Sequence, residues 1–147
     1  MVQQQAAPDS PPYWVLPGGL VEAGELITEG LLREVQEEAG VQVQAIDRLA
    51  CTCQIDRPAL KNQVVAFIFE IGAWQGTLGA KDPDAEVLCV ERVRLSEAMD
   101  RLAGNGGWPG IQEPLLAYLR GTTQPGSAWF YREDAAGRPQ RTTVVGL

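Results

Sequence analysis

The chain has 147 residues, 45% hydrophobic and 21% charged, with a formal charge of −7. That composition fits one soluble domain with a core of its own, spanning residues 1–147. The net negative field, with no Lys/Arg run against it, argues against nucleic acid as a partner; no apolar stretch approaches the ~20 residues of a membrane helix and no secretory leader is evident, so a membrane is not expected either and the cytoplasm is the expected location.

Residues 1–13, MVQQQAAPDSPPY, are polar and proline-rich and predict an irregular lead-in. Trp14-Val15-Leu16 is a short apolar stub that ends at the corner Pro17-Gly18-Gly19. Over residues 26–39 the apolar positions Ile27, Leu31 and Val35 recur at helical spacing, and Gly40 supplies a terminator. Gly30 inside that helix should cost about 1 kcal/mol relative to Ala, and no capping side chain stands directly before Leu26. Residues 41–55 predict a strand and 57–62 a hairpin turn. The continuous apolar run 64–69 predicts a strand covered on both faces. A loop over 75–85 and a strand over 86–95 follow, then a short helix capped by Ser96, a glycine-rich break at 104–107 and a second helix over 112–120. The extension 121–147 predicts a hairpin, 129–132 with 142–145, turning around 134–139. Strands at both ends with helices between them suggest an α/β sandwich.

The chain contains no histidine, which excludes Ser-His-Asp and Cys-His catalysis and His-dependent zinc sites. Cys51 and Cys53 flank Thr52 on one strand face and read as small buried residues rather than a thiol pair. The chemistry concentrates instead in REVQEEAGV. Glu34, Glu37 and Glu38 fall at i, i+3 and i+4 and share one helix face within a turn. They repel one another and crowd the C-terminal half of the helix, where the helix dipole disfavours negative charge. A hard cation between them, Mg²⁺ with Mn²⁺ as the alternative, would relieve that cost, as all-oxygen ligands suggest. Taken alone, a solvated charged face explains the same pattern.

The wider stretch separates the two. Gly19, five residues, Glu25, seven residues, then Arg33-Glu34-Val35-Gln36-Glu37-Glu38-Ala39-Gly40-Val41 resembles the Nudix hydrolase box, G-x5-E-x7-R-E-U-x-E-E-x-G-U with U aliphatic, at every fixed position. The resemblance implies an α/β/α sandwich with a mixed β-sheet and a loop–helix–loop metal site. It also implies hydrolysis of a nucleoside diphosphate linked to another group. Carried over by position, Glu34 and Glu38 would be the main metal ligands. Glu37 would be a third ligand or would help activate water, and the Gly18 carbonyl would add a ligand. Arg33 and Glu25 would be a supporting pair, Arg33 orienting carboxylates rather than touching substrate. Glu86 resembles the acidic residue that often follows the box, Asp82 and Asp84 being its competitors as plain loop carboxylates, and Glu22 would lie near metal or substrate. Bound metal would let an acidic protein hold an acidic substrate.

Substrate choice in the family lies outside the box. Pro58 falls seventeen residues beyond Val41, one off the spacing that marks ADP-ribose hydrolases, while Ala59 stands near where dinucleoside polyphosphate hydrolases carry tyrosine. The open substrates are a nucleoside triphosphate and an ADP-ribose-type nucleotide sugar, and the alternative function is a non-catalytic nucleotide sensor. Trp14, Phe67 or Trp108 could stack on a base, though such aromatics are usually core. The family leads one to expect a further strand and hairpin ahead of Trp14, where only thirteen residues stand, with Gln3-Gln4-Gln5 as the tail of a strand. The C-terminal hairpin is a candidate to fill that gap, within the chain or across a homodimer.

Overall fold

The computed structural model describes every residue except 6, 8, 81–85, 105–107 and 147. In chain order the elements are β1 (Val2–Gln4), β2 (Tyr13–Val15), α1 (Ile27–Ala39), β3 (Val41–Arg57), a 3-10 turn (Pro58–Leu60), β4 (Asn62–Gly76), β5 (Val87–Val90), α2 (Leu95–Ala103), α3 (Pro109–Leu119), β6 (Ser127–Glu133) and β7 (Pro139–Val145). They form two compact units, and the long strands β3 and β4 contribute residues to both.

The first unit comprises Met1–Ile46 with Ile71–Asn105. Its three-stranded sheet has the order β2-β1-β5, with β1 antiparallel to both neighbours. The expectation of an irregular lead-in is corrected here. Val2 and Gln4 point inward while Gln3 does not, the period-2 alternation of a half-buried strand. Val2 is fully buried and pairs with Val15 on one side and Val90 on the other. Beside this sheet, Val35 and Ala39 of α1 join Val41 in a buried cluster extended by Leu31, Val43 and Val90. The α2 helix starts at Leu95 after Arg94, so Ser96 lies inside it rather than capping it. Arg101 of α2 stacks on the Trp14 ring at 4.0 Å and pairs with Glu91 (2.7 Å), which occupies one of the aromatics considered for a base.

The second unit comprises Asp47–Glu70 with Gly106–Leu147. Its sheet is the mixed one, in the order β4-β3-β6-β7: β6 runs parallel to β3 from Cys51↔Ser127 to Asp56↔Arg132, and β7 is antiparallel to β6. The predicted C-terminal hairpin is therefore present and pairs within the chain, its partner being β3. Asp134 closes its turn by accepting the N–H groups of Ala136 and Arg138, with Gly137 at φ 72°. Cys51, Cys53, Ile55, Trp129 and Tyr131 make the core, with Trp108, Ile111 and Ala117 packed against it. Burial pushes the Cys51 and Cys53 thiols up to about 12 and about 11, so both are inert apolar packing groups. The apolar run in β4 is covered on one side only. Ala66 and Ile68 pack on this core, whereas Val65 and Phe67 are 52% and 39% exposed. Continuous hydrophobicity does not reveal which face lacks a layer.

Pro109 starts α3 three residues earlier than predicted, since its fixed φ suits a first helical position. Gly110 follows because Ile55 leaves no room: a methyl there would lie 2.6 Å from Ile55 Cδ1. Gly110→Ala should destabilise the fold by about 1–3 kcal/mol through overpacking, against a helix-propensity gain of at most about 1 kcal/mol. Ile55→Val removes the obstructing atom and should cost less in the Gly110→Ala background than alone, as chemical denaturation of the four proteins would measure; additive losses would mean the two side chains do not meet.

Candidate functional site

The box occupies the loop from Pro17 to Leu26 and helix α1, all within the first unit. The loop closes on itself at Glu22–Glu25. The Glu25 N–H donates to the Glu22 carbonyl (3.1 Å), and the Glu22 N–H donates to Glu25 Oε2 (2.9 Å). Gly24 makes this turn at φ 90°, where a side chain would be strained. The helix that looked uncapped is capped from within. Glu29 Oε2 accepts the Leu26 N–H at 2.7 Å, satisfying a donor ahead of the first turn and placing negative charge at the favourable end of the dipole. Gly30 is buried against the loop, and a methyl there would stand 3.0 Å from Glu25 Oε2. At the far end Gly40 is left-handed at φ 75°, and the Gly79 carbonyl approaches too closely for any side chain.

Arg33 is the hub of the acidic face. Its Nε donates to Glu25 Oε1 (2.9 Å), and its Nη2 donates to Glu25 Oε2 (3.1 Å) and the Leu20 carbonyl (2.9 Å). Its Nη1 donates to Glu34 Oε1 (2.8 Å) and Glu37 Oε2 (3.1 Å). Five N–H donors meet five acceptors of the chain itself, which leaves none for a ligand. The Arg33 bonds, then the Glu22 N–H, hold the Glu25 carboxyl below its ordinary value, and the carboxylates of Glu25 and Glu34 in turn push the guanidinium pKa up. Gly19 lies directly against this group. A methyl on it would fall within 2.7 Å of the whole Glu34 carboxylate.

Glu38 is held differently. It is buried, Oε2 accepts the Gly18 N–H (2.9 Å), and Oε1 accepts Nε2 of Gln4 from β1. Gln4 is the residue that sequence reasoning missed: Gln3-Gln4-Gln5 was expected as the tail of a strand with no role for its side chains, and the Val2/Gln4 alternation was the available signal. Glu22 contributes its backbone to the loop turn and is itself exposed. Glu86 is exposed too, but its carbonyl accepts the Gln5 N–H (3.0 Å) and its neighbour Val87 pairs with Gln4. Its backbone thus lies beside the strand that touches Glu38. Asp82 and Asp84 fall outside the described residues.

The structure thus gathers Glu25, Arg33, Glu34 and Glu37 into one network and sets Glu38, Gly18 and Gln4 in another. Among the described residues no three acidic, Cys or His side chains converge on a single point. The donor chemistry nevertheless fits a hard cation, with three carboxylates on one helical turn and loop backbone folded onto two of them at Gly18 and Gly19.

Comparison with known proteins agrees with this geometry. The NUDIX domain matches residues 1–113, and the chain belongs to that family. It is 51% identical to Nudix hydrolase 6 of Arabidopsis thaliana over 88 residues, 60% of this chain and 30% of the plant protein. It is 33% identical to the ADP-ribose pyrophosphatase of Methanocaldococcus jannaschii over 73 residues, 50% of this chain and 43% of that protein. The matched segments thus span less than half the length of either relative. The crystal structure of a mutator MutT protein from Bacillus halodurans superposes with a TM-score of 0.68 at 18% identity, covering 98% of this chain and 87% of the other. The fold is the Nudix α/β fold.

Two outcomes follow for the loop. Gly19→Ala should displace the Glu34 carboxylate and loosen the Arg33 network, which a structure of the variant would show directly. Glu25→Gln should lower the melting temperature at pH 7. Because the folded carboxyl titrates below its ordinary 4.5, its contribution is present above that pH and is lost as pH falls through the lowered value. The gap between wild type and variant should therefore close on acidification; a gap constant down to pH 3 would sink the assignment.

Proposed function

We propose that the chain is a metal-dependent pyrophosphohydrolase that cleaves the diphosphate of a nucleoside diphosphate linked to a sugar, an ADP-ribose-type compound. The observation that carries this reading is the loop backbone folded onto the carboxylates of α1, with Gly18 N–H on Glu38 and no space for a side chain between Gly19 and Glu34. A structural loop has no need of glycines pressed against negative charge. The ADP-ribose class is favoured by the likeness to the archaeal ADP-ribose pyrophosphatase and by Pro58, which opens the 3-10 turn between β3 and β4.

Glu34 and Glu38 would hold the divalent cation, Mg²⁺ or in its place Mn²⁺, with Glu37 and the Gly18 carbonyl completing the set. Bound there, the cation would neutralise diphosphate charge and lower the pKa of a coordinated water. In a protein of charge −7 it would also reverse the local sign that otherwise repels the substrate. Arg33, with every donor committed, orients Glu34 and Glu37, and Glu25 anchors Arg33 from the loop. Glu37 is half-buried but more accessible than its neighbour, 33% at its side chain against 15% for Glu34, and is the carboxylate we assign to accept a proton from attacking water. Glu86 is the further acidic residue, brought in on the segment beside β1.

A release assay over ADP-ribose, nucleoside triphosphates, dinucleoside polyphosphates and coenzyme A, with and without Mg²⁺, tests the reading. We expect Mg²⁺-dependent release of AMP and ribose 5-phosphate from ADP-ribose. Glu38→Gln should lower that rate by about a hundredfold or more, several kcal/mol of lost electrostatic stabilisation, while the protein stays folded. No metal-dependent turnover of any diphosphate would leave the nucleotide-sensing reading instead.

A further inference from the structure

Strand β1 carries a buried amide that packing does not require. Gln4 is 9% exposed and occupies an inward position of β1, the same face as fully buried Val2. An apolar side chain would serve the interior there, since burying an amide costs free energy unless it is hydrogen-bonded. Its Nε2 donates to Glu38 Oε1. The orientation of that amide is fixed by chemistry, because an ionised carboxylate only accepts and the carbamoyl oxygen cannot face it.

We propose that Gln4 is a positioning residue for Glu38, aiming that carboxylate at the divalent cation. The inference rests on the reading of Glu38 as a ligand given above. With Gln4 on Oε1 and the Gly18 N–H on Oε2, the carboxylate is pinned at both oxygens from two separate segments. A carboxylate offers about four lone-pair sites, and donors from two separate segments arrest its rotation. The donor itself is anchored. β1 pairs on both sides, Gln4↔Tyr13 and Gln4↔Val87, and Gln5 N–H bonds the Glu86 carbonyl (3.0 Å). Partners of this kind around a metal-binding carboxylate typically contribute 10–100-fold in affinity.

The test is Mn²⁺ binding to the full chain, followed by calorimetry or by the electron spin resonance signal of free Mn²⁺, for wild type, Gln4→Met, Val2→Ala and Glu38→Gln. Gln4→Met keeps the length of the side chain and removes the donor, and it should weaken Mn²⁺ binding about tenfold or more. Val2→Ala opens the same strand face without touching Glu38; it should lower the melting temperature and leave affinity unchanged. In the Glu38→Gln background, Gln4→Met should add no further loss. Unchanged affinity in Gln4→Met alongside lost affinity in Glu38→Gln overturns this proposal and leaves the metal site standing. Unchanged affinity in both overturns the ligand role of Glu38 as well. Should Gln4→Met fail to fold, Gln4→Ala carries the same measurement, and failure of both to fold would assign Gln4 to folding alone and overturn the proposal.

Discussion

The local structure of the site is organised around the repulsion among Glu34, Glu37 and Glu38 within one turn of α1. Such a face is stable only if donors are brought to it, and the sequence brings them from three directions. Arg33 lies on the same helix and spreads its guanidinium over Glu34 and Glu37. The loop ahead of the helix folds back so that Glu25 and the Leu20 carbonyl fix the far side of Arg33. The corner at Gly18 and the strand β1 supply the two donors for Glu38. The glycines follow from this arrangement. Gly19 stands where the Glu34 carboxylate leaves no space, Gly30 packs tightly on Glu25, and Gly24 turns the chain between them.

How far this was legible depended on the range of each interaction. The helix, its terminator and the acidic face are local, encoded by spacings of three and four residues, and the structure has them at the positions read. The hairpin of β6 and β7 is also local, marked by alternation around a turn of Asp134 and Gly137. The parallel pairing of β6 with β3 was not legible, because parallel strands need a long crossover and nothing in either strand names its partner. The one-sided burial of β4 failed for a related reason: Val65 and Phe67 are as apolar as their inward neighbours. At the site, Gln4 was hidden by composition, since three consecutive glutamines can suggest the tail of a strand but not which of them faces the interior. Glu29 as a cap was hidden by convention, because a cap is sought before a helix rather than in its third position.

The three carboxylates are not equivalent, and the difference lies in the charge of what holds them. Glu34 and Glu37 share the positive charge of Arg33 with Glu25, so their field is offset only in part. Glu38 is buried, and it accepts from an amide and a backbone N–H, two neutral donors. Those bonds fix the direction of its carboxylate. A divalent cation approaching this face would therefore compete with Arg33 for Glu34 and Glu37, whereas the carboxylate of Glu38 is held at a fixed angle by Gln4 and the Gly18 N–H. Burial strengthens the electrostatics of every bond to Glu38, because the interior screens less than water does. The helix face thus meets two separate demands: Glu34 and Glu37 are held against their mutual repulsion by a shared cation of the chain, and Glu38 is held in one direction by donors from two other segments.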